Sequence, residues 1–294
     1  MSNPKANVAK NAEFARNDTE ILRARLRSST LFWCNVDRGQ RLMDIAFYWR
    51  TVRLFAKLLQ GLWISATVFA RDDSVRRHAV ARKWSRDLLH LAGIEVRAIG
   101  FPADAERPVT LVANHISWAD IFALNSQRAC HFIAKAELRQ WPIAGRMLAN
   151  AGTVFIDRND RKDTHRLKAV VHDLLASGET VAVFPEGTTS DGRDVLKFHA
   201  SLLEPIVASE GEVWVVAVRY FHVPRSKGVI AEARTDAAAY IDDLSLMDSL
   251  RAIHRAEPVT VEVRFVEAIA CAGLTRREVA QRAETAIRAI VRAD

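Results

Sequence analysis

The sequence predicts an α/β fold: a mixed, largely buried β-sheet flanked by helices, with an amphipathic helical segment at the N-terminal end. The chain has 294 residues, is 49% hydrophobic, and holds only 12 Gly and 8 Pro. This composition excludes disorder and collagen-like repeats. From position 94 onward, short β-rich runs alternate with helical stretches. Such alternation is typical of helices packed on a sheet.

The individual elements follow from hydrophobic periodicity and from turn residues. Strands are predicted at 94–98, 109–113, 130–134, 153–156, 180–184, 213–220, 229–233 and 259–266. Helices are predicted at 118–127, 140–150, 161–177, 200–209, 241–255 and 275–292. The last helix begins with a capping box formed by Thr275 and Glu278.

The basic excess of the chain lies near its N-terminus. Residues 1–100 contain 18 Lys and Arg against 9 Asp and Glu, whereas residues 101–294 contain 24 against 26. The uncharged stretch 58–70 would reach about 20 Å as a helix, short of the roughly 30 Å hydrocarbon core of a bilayer. Basic residues and tryptophans on a helical pattern indicate attachment to an anionic membrane surface. The alternative is a pair of helices that pack on the body and show solvated basic faces.

Three segments are therefore expected: a polar tail at 1–40, a basic amphipathic membrane-associated segment at 41–92, and an α/β domain at 93–294. In the middle segment, Arg50, Arg53 and Lys57 recur on one helical face. A second helix is expected from Asp73 or Ser74 to the residue before Gly93. The three cysteines, Cys34, Cys130 and Cys271, form no framework of disulfides, which indicates a reducing compartment.

A first candidate site follows the strand at 109–113. His115 and Asp120 are spaced so that the carboxylate, one turn into a helix, can return to the imidazole. Such a carboxylate fixes the ring tautomer and leaves the other nitrogen free as a base. Neither a serine nor a cysteine is paired with them in the pattern, so the substrate would bring its own hydroxyl. A buried histidine satisfied by a nearby aspartate for structural reasons is the alternative.

Two further patterns contain residues suited to binding a polar head group. Glu186, Gly187 and Thr188 follow the strand at 180–184, where a glycine lets backbone amides approach an anion. Lys135 and Arg158 lie at or just past strand ends, positions that reach ligands in α/β sheets. Arginine suits a bidentate grip on phosphate. Read singly, these residues would be an ordinary turn and surface charges.

Taken in order, the three motifs resemble those of the glycerolipid acyltransferases, which acylate lysophosphatidic acid and related lysolipids. The motifs are NHISWAD at 114–120, KAEL at 135–138 with FIDR at 155–158, and FPEGTTS at 184–190. The resemblance extends over residues 90–220 and implies an α/β sheet domain with an N-terminal helical membrane attachment. Two departures concern acyl-chain or acceptor placement: the stretch 213–218 lacks a proline, and Phe198 is followed by His-Ala-Ser.

By this resemblance His115 is the general base and Asp120 its orienting partner. Arg158, Glu186, Gly187 and Thr188 would hold the acceptor, with Lys135 assisting. The implied reaction moves an acyl group from acyl-CoA or acyl carrier protein, as donor substrate, to 1-acylglycerol-3-phosphate, giving phosphatidic acid. Neither a cofactor nor a metal is expected. The implied location is the cytoplasmic face of the inner membrane.

Other functions remain open at this point. Within the same chemistry, the acceptor could be a lyso-aminolipid such as lyso-ornithine lipid. A non-catalytic binder of anionic lipids would keep the pocket without turnover. Nucleic-acid binding is disfavoured because the basic residues alternate with an apolar face. A metal hydrolase is disfavoured because His115 and Asp120 lack a nearby second His or Cys at ligand spacing.

Overall fold

The structure, a computed structural model, describes residues 44–68, 74–102, 108–141, 144–156, 161–222, 232–256 and 258–293. The chain divides into two compact units, Met1–Thr51 and Val52–Asp294. In the first unit the described residues are helical, and Ile45, Tyr48 and Trp49 are exposed on them. The predicted polar tail at 1–40 lies outside the described residues.

The helices lie close to their predicted positions. In the second unit they are α1 (52–67), α2 (Ser74–Ala92), α3 (Ala119–Gln127), α4 (Ala144–Asn150), α5 (Arg161–Ala176), α6 (Glu204–Val207), α7 (Leu246–Ala256) and α8 (Arg276–Arg292). Short 3-10 helices span Ala136–Gln140 and Ala200–Leu202. The capping box of Thr275 and Glu278 is confirmed. The expected helix at 241–255 begins later because Ser245 caps it, accepting a hydrogen bond from the backbone N–H of Asp248.

The strands form one mixed sheet. They are β1 (Ile94–Ile99), β2 (Thr110–Ala113), β3 (His131–Lys135), β4 (Val154–Ile156), β5 (Val181–Val183), β6 (Glu212–His222), β7 (Ala233–Arg234) and β8 (Val259–Ala270). Their order is β1-β8-β6-β2-β5-β3-β4, with β7 paired to β6. The predicted mixed α/β fold is confirmed. Of the strand predicted at 229–233, residues 229–231 lie outside the described residues.

The sheet is covered on both faces, which explains why its central strands are apolar throughout. On one face, side chains of α5 and α8, including Val171 and Ile287, pack against the sheet. On the other, side chains of α2, α3 and α7 do so, including Leu89, Leu124 and Ile253. Strands β2 to β6 run parallel to one another, and β8 runs antiparallel to β6. The carboxyl ends of β2 to β5 therefore meet at a single edge, here called the carboxyl edge.

Helix α1 carries apolar side chains on two faces. Leu54, Gly61 and Ser65 are buried, and a Cβ added to Gly61 would lie 2.4 Å from the Trp84 ring. Lys57, predicted to share a basic helical face with Arg50 and Arg53, pairs through its ammonium with Asp87 of α2 at 3.0 Å. This pair and the close approach at Gly61 hold α1 against α2. No described helix has the length and apolar character needed to cross a bilayer.

Candidate active site

The sequence motifs meet at the carboxyl edge of the sheet. His115 follows β2 and Glu186 follows β5, and these two strands are hydrogen-bonded neighbours in parallel register. Lys135 ends β3, which pairs with β5 on its other side. Because parallel strands bring their carboxyl ends together, residues far apart in sequence share this edge. The site is thus assembled by sheet topology.

His115 and Asp120 form the pair that their spacing predicts. Helix α3 begins at Ala119, so Asp120 stands in its first turn. Its Oδ2 lies 2.8 Å from Nδ1 of His115. The Asp120 side chain is fully buried, whereas that of His115 is 17% exposed. One ring nitrogen is therefore held by a carboxylate, while the imidazole reaches the surface.

The Asp120 carboxylate is saturated with donors. Besides the imidazole, Oδ2 accepts the backbone N–H groups of Ile116 at 2.6 Å and Ser117 at 2.8 Å. The Tyr220 hydroxyl donates to Oδ1 at 2.6 Å. A buried carboxylate needs such partners because removing it from water costs free energy that its hydrogen bonds offset. Asp120 is consequently fixed in orientation.

The other ring nitrogen of His115 is available. Among the described residues, none hydrogen-bonds to Nε2, and no serine or cysteine side chain bonds to the imidazole. The Ser117 side chain is buried and accepts from the backbone N–H of Ala119 at 3.3 Å. The ring stacks on Phe184 with centroids 4.1 Å apart and planes 12° from parallel. Because Nδ1 is held by Asp120, Nε2 is the ring nitrogen that carries no hydrogen bond within the described residues.

Glu186 binds the backbone of the loop that carries His115. The backbone N–H of His115 donates to Oε1 at 2.7 Å, and that of Leu196 donates to Oε2 at 2.9 Å. The side chain is 2% exposed. Burial raises the pKa of Glu186 to about 7, although the two backbone N–H donors oppose the shift. Both carboxyl oxygens thus hold protein backbone, so this residue positions His115.

The carbonyl side of His115 is held as well. The backbone N–H of Ser190 donates to the His115 carbonyl at 2.8 Å, and its hydroxyl approaches the same oxygen at 3.2 Å. Gly192 has a positive φ of 74°, and a Cβ there would lie 2.7 Å from Ile116. Only glycine suits both the backbone conformation and the contact. The loop after β5 therefore encloses the loop after β2.

Helix α8 secures the far end of that enclosing loop. Glu284 accepts from the backbone N–H of Phe198 at 2.8 Å. Arg288 donates to the Val195 carbonyl at 2.7 Å and to Asp194 at 3.1 Å. Side-chain hydrogen bonds, chiefly from Arg292, lower the pKa of Asp194 to about 2. A helix at the end of the chain thus supports the segment that presents Leu196 to Glu186.

The remaining predicted site residues are placed as follows. Lys135 and Thr188 are exposed at the carboxyl edge. Gly187 has φ 72° and donates its N–H to the Phe184 carbonyl at 3.1 Å. Arg158 lies outside the described residues. Within the described ranges no group of three or more His, Cys, Asp or Glu side chains is arranged to hold a metal ion.

A cavity of about 190 Å³ lies between α1, α2, α3 and α4. Its lining includes the rings of Trp84, Phe122 and Phe132. It also includes a polar cluster in which the Glu179 carboxylate bonds Arg77, His78 and His131. The Phe132 ring stacks on Phe184 with centroids 6.0 Å apart, and Phe184 in turn stacks on His115. The cavity is therefore separated from the imidazole by two aromatic rings.

Sequence reasoning missed two polar residues of the site region, Tyr220 and Ser190. It also left Asn114 without a role, although its buried amide exchanges two hydrogen bonds with the backbone of Val218, at 3.0 and 2.7 Å. These bonds extend the pairing of β2 with β6 and bring Tyr220 beside Asp120. The available signal for Tyr220 was its alternation with Val216 and Val218 on the strand face that meets α3.

The fold is α/β, and a carboxylate-held histidine lies at the carboxyl edge of its sheet. The family model described as Acyltransferase matches residues 94–220. The chain is 34% identical over 247 residues to a lyso-ornithine lipid O-acyltransferase of Pseudomonas aeruginosa, covering 81% of this chain and 91% of that protein. It is 38% identical over 205 residues to a 1-acyl-sn-glycerol-3-phosphate acyltransferase of Neisseria gonorrhoeae, covering 69% and 76%.

A solved structure shares the fold. The 1-acyl-sn-glycerophosphate acyltransferase PlsC from Thermotoga maritima aligns with a TM-score of 0.53 at 21% identity, covering 82% of this chain and 96% of that one. The chain belongs to the glycerolipid acyltransferase family, and it is an acyltransferase.

Proposed function

We propose that this enzyme transfers an acyl group from a thioester donor to the free hydroxyl of a lysolipid, with His115 as general base and Asp120 as its orienting partner. The observation that carries the proposal is the 2.8 Å contact between Nδ1 of His115 and the buried Asp120 carboxylate, which leaves Nε2 free. Histidine held in this way takes a proton through its other nitrogen.

The proposed step needs no covalent acyl-enzyme. Nε2 of His115 takes the proton of the lysolipid hydroxyl while that oxygen attacks the thioester carbonyl carbon. The carbon–sulfur bond breaks, and the imidazolium returns the proton to the leaving thiolate. Asp120 stabilises the imidazolium between these two events. The lack of a serine or cysteine on the imidazole, among the described residues, supports direct transfer.

The donor is proposed to be acyl-CoA or acyl carrier protein, and no cofactor takes part. The apolar part of the cavity among α1 to α4, which includes Trp84 and Phe122, supports this chemistry because a fatty chain packs against apolar side chains.

Our first candidate acceptor is 1-acylglycerol-3-phosphate, which would give phosphatidic acid. Lys135 would face its phosphate, with Gly187 and Thr188 beside it, and Arg158 has the same role as a prediction from the sequence alone. The second candidate is lyso-ornithine lipid. It is favoured by the longer match to the Pseudomonas aeruginosa protein of that name.

We also propose that α1 attaches the enzyme to the membrane that holds the acceptor. Within residues 52–67, four apolar side chains are exposed on the helix surface turned away from α2: Val52, Phe55, Leu59 and Trp63. Trp63 is 65% exposed. A row of exposed aromatic and aliphatic side chains with neighbouring basic residues suits the interface of an anionic membrane. The expected location is the cytoplasmic face of the inner membrane.

An acceptor panel tests the proposed function. Purified enzyme in mixed micelles is given each lysolipid together with a labelled acyl group on coenzyme A or acyl carrier protein. The same assay is run on His115→Ala and on the control His172→Ala, which changes an exposed side chain of α5. Transfer to lysophosphatidate that is lost only in His115→Ala supports the first candidate. Transfer to lyso-ornithine lipid alone selects the second. Liposome binding without transfer to any acceptor would favour a lipid-binding protein and contradict the proposal.

A further inference from the structure

Tyr220 lies behind the His115–Asp120 pair, on a strand that carries none of the motif residues. Its side chain is 2% exposed, and its hydroxyl donates to Oδ1 of Asp120 at 2.6 Å. The placement is determined by β6. This strand pairs with β2 as far as Ala113 and Val216, and Asn114 continues the pairing to Val218.

The two oxygens of Asp120 are held differently. Oδ2 receives His115 and two backbone N–H groups, whereas Tyr220 is the described donor on Oδ1. Burial and the adjacent Asp120 charge raise the pKa of Tyr220 well above its ordinary value. The hydroxyl consequently keeps its proton and donates at every pH at which the enzyme would work.

We propose that Tyr220 is a positioning residue for the transfer: its hydroxyl fixes the plane of the Asp120 carboxylate and moderates the basicity of His115. This inference rests on the function proposed above. A donor on Oδ1 withdraws negative charge from the carboxylate, which weakens the hold of Oδ2 on the Nδ1 proton. His115 can then pass its newly acquired proton to the leaving thiolate more readily. The Tyr220 proton itself stays in place.

A purely structural role makes a different prediction. Tyr220 also packs in the core between the sheet and α3, so its loss would lower stability in any case. Packing alone, however, does not change the proton affinity of His115. The acidic limb of the pH–rate profile therefore separates the two roles.

Other titratable groups face the same loop and have to be held constant. Glu186, after β5, accepts from the His115 backbone, and Glu284 of α8 acts on Glu186 through its charge. Both are unchanged in variants at position 220. A shift between wild type and such a variant therefore reports on the hydroxyl and not on these carboxyls.

The test measures kcat, and kcat/KM against pH, for acyl transfer in wild type, Tyr220→Phe and Val216→Ala. We expect Tyr220→Phe to lose roughly tenfold in kcat and to move the acidic limb to higher pH, because the Asp120 charge then acts more fully on His115. Val216→Ala, on the same strand face, should lose stability without moving the limb. Site-specific 3-fluorotyrosine at 220, a more acidic donor, should move the limb to lower pH.

Movement of the acidic limb to higher pH in Tyr220→Phe and to lower pH in the fluorotyrosine protein would support the inference. An unmoved limb in both position-220 variants, with His115→Ala inactive, would overturn it and leave the proposed function intact. Should Tyr220→Phe fail to fold, the fluorotyrosine protein, which keeps ring and hydroxyl, decides alone. Equal rates in wild type and His115→Ala would overturn the proposed function itself.

Discussion

The Oε1 atom of Glu186 accepts the backbone N–H of His115 at 2.7 Å, although the two residues are 71 positions apart. Its other oxygen binds Leu196. The third motif therefore acts on the first through the backbone, and α8 supports the loop that carries Leu196. The resemblance assigned Glu186 to the acceptor pocket. Its two backbone contacts hold the loop of His115 in place, and its role in the acceptor pocket stays a prediction.

Asp120→Asn should reduce kcat by about 10²- to 10⁴-fold with little change in KM. An amide offers one acceptor oxygen and an N–H₂ group, whereas Asp120 accepts on both oxygens and faces a second donor, Tyr220. His115 would then lose the carboxylate that fixes its ring tautomer and the negative charge that stabilises its protonated form. Steady-state kinetics check this, with Asp173→Asn on the surface of α5 as the control. Full activity in Asp120→Asn would argue for a structural aspartate.

Glu186 should make stability fall as the pH rises. Its folded pKa of about 7 lies above the ordinary value of 4.5. Between these values the folded protein keeps a proton that the unfolded chain has lost, so the free energy of unfolding decreases with rising pH. Its contribution is complete below about pH 4.5 and is lost as the pH passes about 7.

Chemical denaturation of wild type and Glu186→Gln at several pH values measures this. The wild-type free energy of unfolding should fall relative to that of the variant from pH 4.5 to 7. The variant should be less active throughout, since an amide cannot accept both backbone N–H groups. If the free energy of unfolding changes with pH in the same way in the two proteins, Glu186 does not have a raised pKa in the folded state.

Lys135→Met should raise KM for a phosphate-bearing acceptor by about tenfold and leave kcat nearly unchanged. The ammonium is exposed at the carboxyl edge, where it would bind the ground state and the transition state alike. KM for the acyl donor should stay constant. The control is Lys83→Met, which removes an exposed lysine of α2. An unchanged acceptor KM would place the phosphate elsewhere.

Arg288→Met should loosen the loop that holds Glu186. It removes the contacts to Asp194 and to the Val195 carbonyl, so hydrogen exchange at the Leu196 amide should accelerate and kcat should fall several-fold. Arg282→Met is the matched control, because Arg282 lies on the same helix and pairs instead with Glu267 of β8. Equal exchange rates at the Leu196 amide in both variants would show that Arg288 does not stabilise this loop.

Replacing Phe55 and Trp63 together by Ser should weaken binding to anionic liposomes without changing the fold. Both side chains are more than half exposed, so their removal costs little stability, while each contributes apolar area to an interface. Co-sedimentation measures the loss. Leu246→Ser, an exposed apolar residue at the start of α7, serves as the control. Unchanged binding would return α1 to the simpler interpretation of a helix packed on the body.

Much of the fold could be predicted because its signals are local. Gly93 ends α2 with a positive φ of 87°, and the strands were apolar runs bounded by turns. The pair His115 and Asp120 was predictable for the same reason, since five positions span one strand end and one helical turn. The role of Lys57 was not, because its partner Asp87 belongs to another helix.

The position of Tyr220 depends on strand order, and so do the backbone hydrogen bonds that Glu186 and Ser190 make with His115. Nothing in the sequence states that β6 lies beside β2, and only that pairing brings the Tyr220 hydroxyl to Asp120. The backbone contacts of Glu186 were not predictable for a related reason. A carboxylate aimed at a backbone N–H leaves no trace in the sequence of the residue that it binds.

The most direct test follows the labelled acyl group through a single turnover. Enzyme is mixed with a labelled thioester donor, with and without lysolipid, and the label on donor, protein, lipid and free acid is counted over time in wild type and His115→Ala. We expect the label to pass from donor to lipid with none on the protein, and we expect no product from His115→Ala. Label on the protein that precedes product, or undiminished product from His115→Ala, would contradict it.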